Sequence, residues 1–212
     1  MTAGVFVLLM LTCPVEQSLP FCDALQQAER GDVDAQHYVA MAYQHGLGVD
    51  QSERAAIEWY EKAAAAGSAH AMSEVGVLFE LRRDYARAFE WYSRAAGARN
   101  AHALYRLGIM YQEGWGVPAD PVKALQLIEQ AARLDSSAAQ HYLGLLYFQG
   151  TRVPKSHVRS YAWLNIAAPN GAQYARTREL VEKHLSPEQL AEAQKLSIEW
   201  TDKLSADKVA RK

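Results

Sequence analysis

The chain has 212 residues, 50% hydrophobic and 22% charged, with 13 Gly and 7 Pro, the composition of an ordinary folded protein and not of a disordered or collagen-like one. Lys and Arg number 22 against 24 Asp and Glu, a net charge of −2, which gives no broad attraction to nucleic acid or to an anionic lipid surface. Its cysteines are Cys13 and Cys22 alone, so neither a disulfide framework nor a cysteine zinc site can hold the rest of the chain, and packing must do so.

The first element is an apolar run at residues 3–11, AGVFVLLML. It is too short for a membrane span of about 20 residues but has the size of a signal-peptide core, and so predicts export to the periplasm or medium, with a cytoplasmic chain as the alternative. Against export, no Lys or Arg precedes Arg30 and no small-x-small cleavage site follows the run. In an oxidising compartment, two cysteines that both survived processing could pair. Residues 1–20 are therefore read as a leader or anchor, and 21–33 (beginning FCDALQQAERGD) as a capping helix.

The body repeats itself. AQHYVAMAYQHGLGV (35–49), AHALYRLGIMYQEGWGV (101–117) and SAAQHYLGLLYFQGTRV (137–153) share small, aliphatic, aromatic and Gly positions, and AHAMSEVGVLFELRRD (69–84) matches them up to its aromatic residue. Val39, Val75, Leu107 and Leu143 align at steps of 36, 32 and 36, and Trp59, Trp91, Leu127 and Trp163 at steps of 32, 36 and 36. The shorter step falls between Phe79 and Trp91, so the second repeat has lost four loop residues.

Both segments of each repeat read as helices. Tyr38, Val39, Ala42 and Tyr43, and then Ala56, Trp59, Tyr60 and Ala63, recur at helical spacing, and no stretch alternates as a strand would. Gly46, Gly48, Gly114 and Gly116 follow first helices, where glycine can take the left-handed conformation that ends them; Pro118 and Pro154 prevent continuation. Ala40, Gly76, Gly108 and Gly144 share one aligned position, which predicts backbone contact between neighbouring helices, since Gly inside a helix costs about 1 kcal/mol against Ala. Ser186, Pro187 and Gln189 give a capping-box start to a last helix bearing Leu190, Ala193, Leu196 and Trp200 on one stripe. The boundaries are four repeats at 34–68, 69–100, 101–136 and 137–171, capping helices over 172–204 and a polar tail over 205–212.

This pattern resembles the Sel-one-like repeat, a relative of the tetratricopeptide repeat, and the match covers residues 34 to about 200. Ala103, Leu107, Gly108, Tyr111, Gly114, Gly116, Val117, Ala124, Ala131 and Ala132 carry the family's signature. The resemblance implies an all-α fold, a right-handed α-solenoid of stacked antiparallel helix pairs. Repeat two, without its Gly-x-Gly loop, is similar to a plain tetratricopeptide unit.

Catalytic signatures are missing. No histidine-zincin motif, Gly-x-Ser-x-Gly elbow, P-loop or Cys-x-x-Cys pair occurs. Ser205 and Lys208 form a Ser-x-x-Lys without its companion motifs, a chance match in the tail. The Trp and Tyr ladder (Trp59, Tyr60, Trp91, Tyr92, Trp163) suits base stacking less well than it suits the core face of each second helix. Five histidines fall on first helices, but spread over several repeats they do not make a metal site. No cofactor, no metal and no enzyme activity is predicted.

An array of helix pairs leaves an extended concave surface. By its resemblance to tetratricopeptide units the chain's groove is lined by first-helix positions, of which His37, Gln44, His70, Ser73, His102, Tyr105, Gln112, His141 and Phe148 are the candidate partner-binding residues. Amides and imidazoles there can hydrogen-bond a peptide, and Tyr105 and Phe148 offer contact area at low entropy cost. The resemblance implies a non-catalytic scaffold or adaptor holding a protein or peptide partner in the bacterial cell envelope, with no nucleic acid and no transmembrane span. Self-association stays open. The alternatives are a β-lactam-binding or β-lactam-hydrolysing enzyme, as in a cysteine-rich branch of the family, and a module for cell-wall glycans.

Overall fold

The computed structural model describes residues 19–209; the apolar run at 3–11, Cys13 and the last three residues lie outside them. Among the described residues the regular elements are helices: α1 (Leu19–Glu29), α2 (Val33–His45), α3 (Glu53–Ala65), α4 (Ala69–Leu81), α5 (Tyr85–Gly97), α6 (Ala101–Glu113), α7 (Pro121–Arg133), α8 (Ser137–Gln149), α9 (His157–Ala167), a 3-10 turn (Ala168–Asn170), α10 (Ala172–Glu182) and α11 (Pro187–Val209). The chain divides inside α4, between Ala71 and Met72, into two compact units.

Local chemistry sets the helix ends. Asp32, Ser52, Asp84, Asn100, Asp120, Ser136 and Ser156 are N-caps, and each side chain accepts a hydrogen bond from a backbone N–H of the first turn. Gly46 and Gly114 close α2 and α6 in the left-handed conformation, with φ of 71° and 73°, as their places in the sequence predict, and Gly150 closes α8 in the same way at 71°. The ends of α4, α5 and α7 differ. There Arg83, Arg99 and Asp135 turn the chain at φ of 58°, 60° and 65°, a region that side-chain-bearing residues seldom enter.

In the first unit, α1 packs on α2 and α2 on α3. The buried Gln36 donates Nε2–H to the carbonyl of Ala28 at 3.1 Å, so α1 occupies the place of a second helix. Gln140 makes the same bond to Ala132 between the third and fourth repeats, also at 3.1 Å. Two residues in aligned positions thus bond to equivalent carbonyls. Cys22, on α1, is disulfide-bonded.

In the second unit, α6 packs on α7, α8 on α9, and α10 and α11 on α9. Leu104, Ile128, Ala131, Ala132, Leu143 and Leu146 form one buried cluster, and Tyr161, Leu164, Val181 and Ala193 form another under the C-terminal helices. Burial of each large apolar side chain contributes about 1.5–3 kcal/mol. The interior glycines admit this packing, although their neighbours are chiefly side chains and not the expected backbone. A Cβ at Gly76, Gly108 or Gly144 would stand 2.7 Å from the Tyr92 ring, 2.5 Å from Ile128 Cγ1 or 2.6 Å from Leu164 Cγ. In the second, third and fourth repeats the second helix lays one side chain into the notch that the first helix leaves open.

The capping box forms as expected: Ser186 N–H donates to Gln189 Oε1 at 3.0 Å and Gln189 N–H to Ser186 Oγ at 3.3 Å. The expected tail does not begin at 205, because α11 continues to Val209. Ser205 to Val209 contains no Gly or Pro to stop it. Ser205 is exposed on that helix.

Candidate functional site

In the first unit the buried Tyr60 donates its hydroxyl proton to Gln44 Oε1 at 2.8 Å. His37 meets the Tyr60 ring edge-on at 5.3 Å and stacks on His70 at 4.7 Å between centroids, 25° from parallel. His37, Gln44 and His70 therefore share one polar, partly stacked patch, with His70 the most open of the three.

In the second unit Glu80 joins three helices. Tyr92 donates its hydroxyl proton to Glu80 Oε2 at 2.8 Å, Arg106 donates Nε–H to the same oxygen at 3.0 Å, and the Arg106 guanidinium also pairs with Oε1. Burial pushes the Tyr92 phenol well above its ordinary range and draws the Arg106 guanidinium down, and the carboxylate holds the cation in place. Tyr60 and Tyr92 occupy one aligned position and bond to the aligned Gln44 and Glu80. Ile128 stands at that position in the third repeat, so Gln112 has no hydroxyl from its own second helix. It turns instead to the next repeat: Tyr142 donates a short hydrogen bond to Gln112 Oε1, and Gln112 Nε2–H reaches Glu113 at 2.9 Å.

Around that bond lie Tyr105, whose ring meets Tyr142 at 6.2 Å, and His141, whose ring lies 5.0 Å from Tyr174. His141 Nε2 is 3.0 Å from Thr177 Oγ1, and the Thr177 hydroxyl already donates to the Gln173 carbonyl at 3.0 Å. Thr177 has no second proton, so His141 is the donor, its proton on Nε2 and its Nδ1 the acceptor. Burial lowers the pKa of His141, which favours this neutral form. The phenols of Tyr105 and Tyr142 are raised, again chiefly by burial.

The nine candidates do not form one set. Tyr105, Gln112 and His141 lie on consecutive first helices, linked through Tyr142. His102 is exposed, close to Tyr92. Ser73 does not line an open surface: it is 1% exposed, its Oγ 2.9 Å from His102 Nδ1, so it can orient that imidazole but cannot touch a partner. Phe148 is half-buried by the C-terminal cap, stacked on His157 at 5.2 Å with the His184 edge at 5.2 Å. Tyr142 and Tyr174 are the aromatic residues of this face that the alignment did not single out. Their partners lie on other helices, Tyr142 bonding 30 residues back, and no local spacing signals such a pair. Among the described residues no three His, Cys, Asp or Glu side chains are placed to hold a metal, and no helix is long and apolar enough to cross a membrane.

The Sel1 repeat family matches the chain at residues 33–68, 69–99, 101–136 and 137–171. The chain belongs to the Sel1 repeat family. These four segments fall on the four helix pairs α2–α3 to α8–α9, and the fold is the all-α solenoid of that family. Among solved structures the chain is similar to a protective antigen present in uropathogenic Escherichia coli strains displaying an SLR fold, at 32% identity and a TM-score of 0.76 over 89% of this chain and 42% of that one. It is also similar to a Sel1 repeat protein from Oxalobacter formigenes, at 27% identity and a TM-score of 0.71 over 88% of this chain and 78% of the other. An immunity protein from Pseudomonas aeruginosa, 20% identical with a TM-score of 0.58 over 87% of this chain and 73% of its own, shares the fold. The chain thus spans less than half the length of the E. coli antigen. No curated protein matches it. Sel1 repeat proteins are commonly protein-interaction scaffolds and are typically non-catalytic.

Proposed function

We propose that this Sel1 repeat chain is a non-catalytic adaptor that holds a peptide or protein segment on the first-helix face of its second unit. The observation that carries the reading is the row formed by Tyr105, Gln112, Tyr142 and His141. Here two half-buried phenols, an amide and a neutral imidazole from α6 and α8 present apolar area beside hydrogen-bonding groups. Aromatic anchors of this kind supply most of the energy at protein interfaces, and their amide and imidazole neighbours match a peptide backbone. No Lys or Arg stands in the row, so the reading favours a neutral segment over an acidic tail. Placement in the bacterial envelope, periplasmic or secreted, belongs to the same proposal. It is supported by the apolar run at residues 3–11 and by the disulfide at Cys22, a bond that persists in oxidising compartments.

The test is recovery of cross-linked partners from separated envelope and cytoplasmic fractions, with the wild-type chain beside a triple variant, His102→Ala, Tyr105→Ala and Gln112→Ala. A partner captured by the wild type should bind the variant weaker by about 2 kcal/mol or more in sum, while helical circular dichroism is unchanged. A partner that binds both chains equally overturns the placement of the site, and capture from the cytoplasmic fraction alone overturns the envelope assignment.

A further inference from the structure

The Trp position of the second helices is treated differently in the fourth repeat. Trp59 is covered by Lys62, with Nζ 3.4 Å from the ring centroid, and Trp91 by Arg94 at 4.2 Å. Both cations stand three residues after the indole, one helical turn on. The same offset from Trp163 reaches Ile166, and no cation of its own helix caps that ring. Trp200 of α11 approaches instead, its centroid 4.7 Å from that of Trp163 and the two planes 40° apart.

The tilt leaves a cavity of about 450 Å³ between α7, α8, α9 and α11, inside the range of about 300–1,000 Å³ that small-molecule sites occupy. Leu143, Tyr147, Trp163, Trp200 and Leu204 form its apolar wall. Its polar groups are Glu129, Arg133 and Lys203, two cations against one carboxylate. Arg159 adds a third cation beyond the wall, 5.7 Å from the Tyr147 ring centroid. Arg133 and Lys203 are paired with Glu129 at 3.5 Å and Glu199 at 2.7 Å, but all four side chains are substantially exposed. Surface pairs of this kind are weak and exchange readily, so both cations can turn to an incoming anion.

From these observations we infer that the cavity between Trp163 and Trp200 is a binding site for a small amphipathic carboxylate, its apolar body between the indoles and Tyr147 and its carboxylate on Arg133 and Lys203. With Glu199 counted beside Glu129, the three cations Arg133, Lys203 and Arg159 exceed the carboxylates by one, which disfavours quaternary ammonium ligands that aromatic walls alone would admit. An alkyl chain and an aryl ring both meet the requirement for an apolar body. The inference does not depend on the peptide-binding reading, whose residues lie elsewhere on the chain.

Titration of the full chain with octanoate and with phenylbutyrate, followed by tryptophan fluorescence, tests it. The expected result is a saturable change with one or both acids, identifying an alkyl or an aryl body. Octanamide should bind about tenfold more weakly, as should octanoate to a chain carrying Arg133→Gln and Lys203→Gln, because a charge-assisted bond is lost in each case. The chain has five tryptophans, so Trp200→Phe, which keeps an aromatic wall and should keep the fold, must reduce the signal, with Trp163 reporting the remainder. The site is overturned if neither acid gives a saturable change, if octanamide or octyltrimethylammonium matches octanoate, or if the Gln pair binds octanoate as the wild type does with unaltered circular dichroism.

Discussion

Repeats two and three solve the same connection in two ways. In repeat three α6 ends on Gly114, and the loop carries Gly116 against the start of α5: Trp115 stacks on Tyr85 at 5.0 Å between centroids, and a Cβ on Gly116 would stand 2.4 Å from the Tyr85 carbonyl oxygen. In repeat two the four missing residues leave only Arg82 and Arg83 before the Asp84 cap, and Arg83 makes the left-handed turn with a full side chain, at φ 58°. The longer loop uses glycine for two purposes, to turn the chain and to let backbone approach backbone. The shorter turn has no glycine and makes its left-handed step with an arginine.

The largest effect is therefore expected at Gly116. Gly116→Ala adds a methyl where backbone stands, at a φ of 71°, and should destabilise the second unit by roughly 3 kcal/mol from overpacking and left-handed strain together. Urea denaturation of purified chains measures it. A loss below about 1 kcal/mol would show that the loop lifts off Tyr85 freely. Next comes Glu80, which binds repeat two to repeat three through Arg106. Glu80→Ala leaves a half-buried guanidinium and the Tyr92 hydroxyl without their acceptor, an expected loss of about 2 kcal/mol. If Glu80→Gln costs nothing, the ionic part contributes nothing; if it costs as much as Glu80→Ala, the charge carries the whole effect.

Gly108→Ala separates propensity from packing. Alanine is the better helix former by about 1 kcal/mol, yet its Cβ would lie 2.5 Å from Ile128 Cγ1 and 3.1 Å from the Ala124 carbonyl oxygen, so a net loss of about 1–2 kcal/mol is expected. Gly97, near the end of α5, has nothing within 4 Å of its own missing Cβ. Gly97→Ala should instead stabilise by about 0.5 kcal/mol, and thermal melts of the two variants must move in opposite directions. Arg83→Gly follows, with a gain of about 0.5 kcal/mol: the left-handed strain it relieves exceeds by a little the flexibility that glycine adds to the unfolded chain. The same exchange at Arg99, also left-handed at φ 60°, should give a gain of similar size.

These contrasts mark where the sequence is legible. The glycine C-caps at Gly46 and Gly114 and the capping box at Ser186 follow from residues within a few positions of one another, so local spacing encodes them, and the period follows from comparing the chain with itself at steps of 32 and 36. The turns at Arg83, Arg99 and Asp135 carry no glycine to announce them. The candidate face was legible in register but not in depth. Alignment sets Ser73 beside Tyr105, His37 and His141, yet its side chain is too short to emerge between helices and stays buried. Phe148 is not a free aromatic residue: it stacks on His157, the first residue of α9 in its own repeat, and meets His184 of a cap that the repeat pattern does not describe. The bond between Gln112 and Tyr142 has no local signal, because Ile128, which stands where Tyr60 and Tyr92 do and so redirects the amide, sits on a different helix.

The smallest effect is the share of the acid pH dependence that the short turn supplies. Asp84 accepts from Arg87 N–H at 3.2 Å and from the Arg87 side chain, and these bonds to the arginine hold its carboxyl below the ordinary value of 3.8. In the unfolded chain the group takes up its proton at that ordinary value, while in the folded chain it is still ionised. The stability it contributes is thus complete above the ordinary value and is lost as the pH falls through the lower, folded one. Asp120 caps α7 with bonds to the N–H groups of Val122 and Lys123, and no arginine pairs with it among the described contacts. Asp84→Ser keeps an acceptor at the cap and removes the titration. Urea midpoints taken in steps between about pH 5 and pH 3 should then fall less steeply than in the wild type, and parallel curves would show that Arg87 does not hold the Asp84 carboxylate in solution.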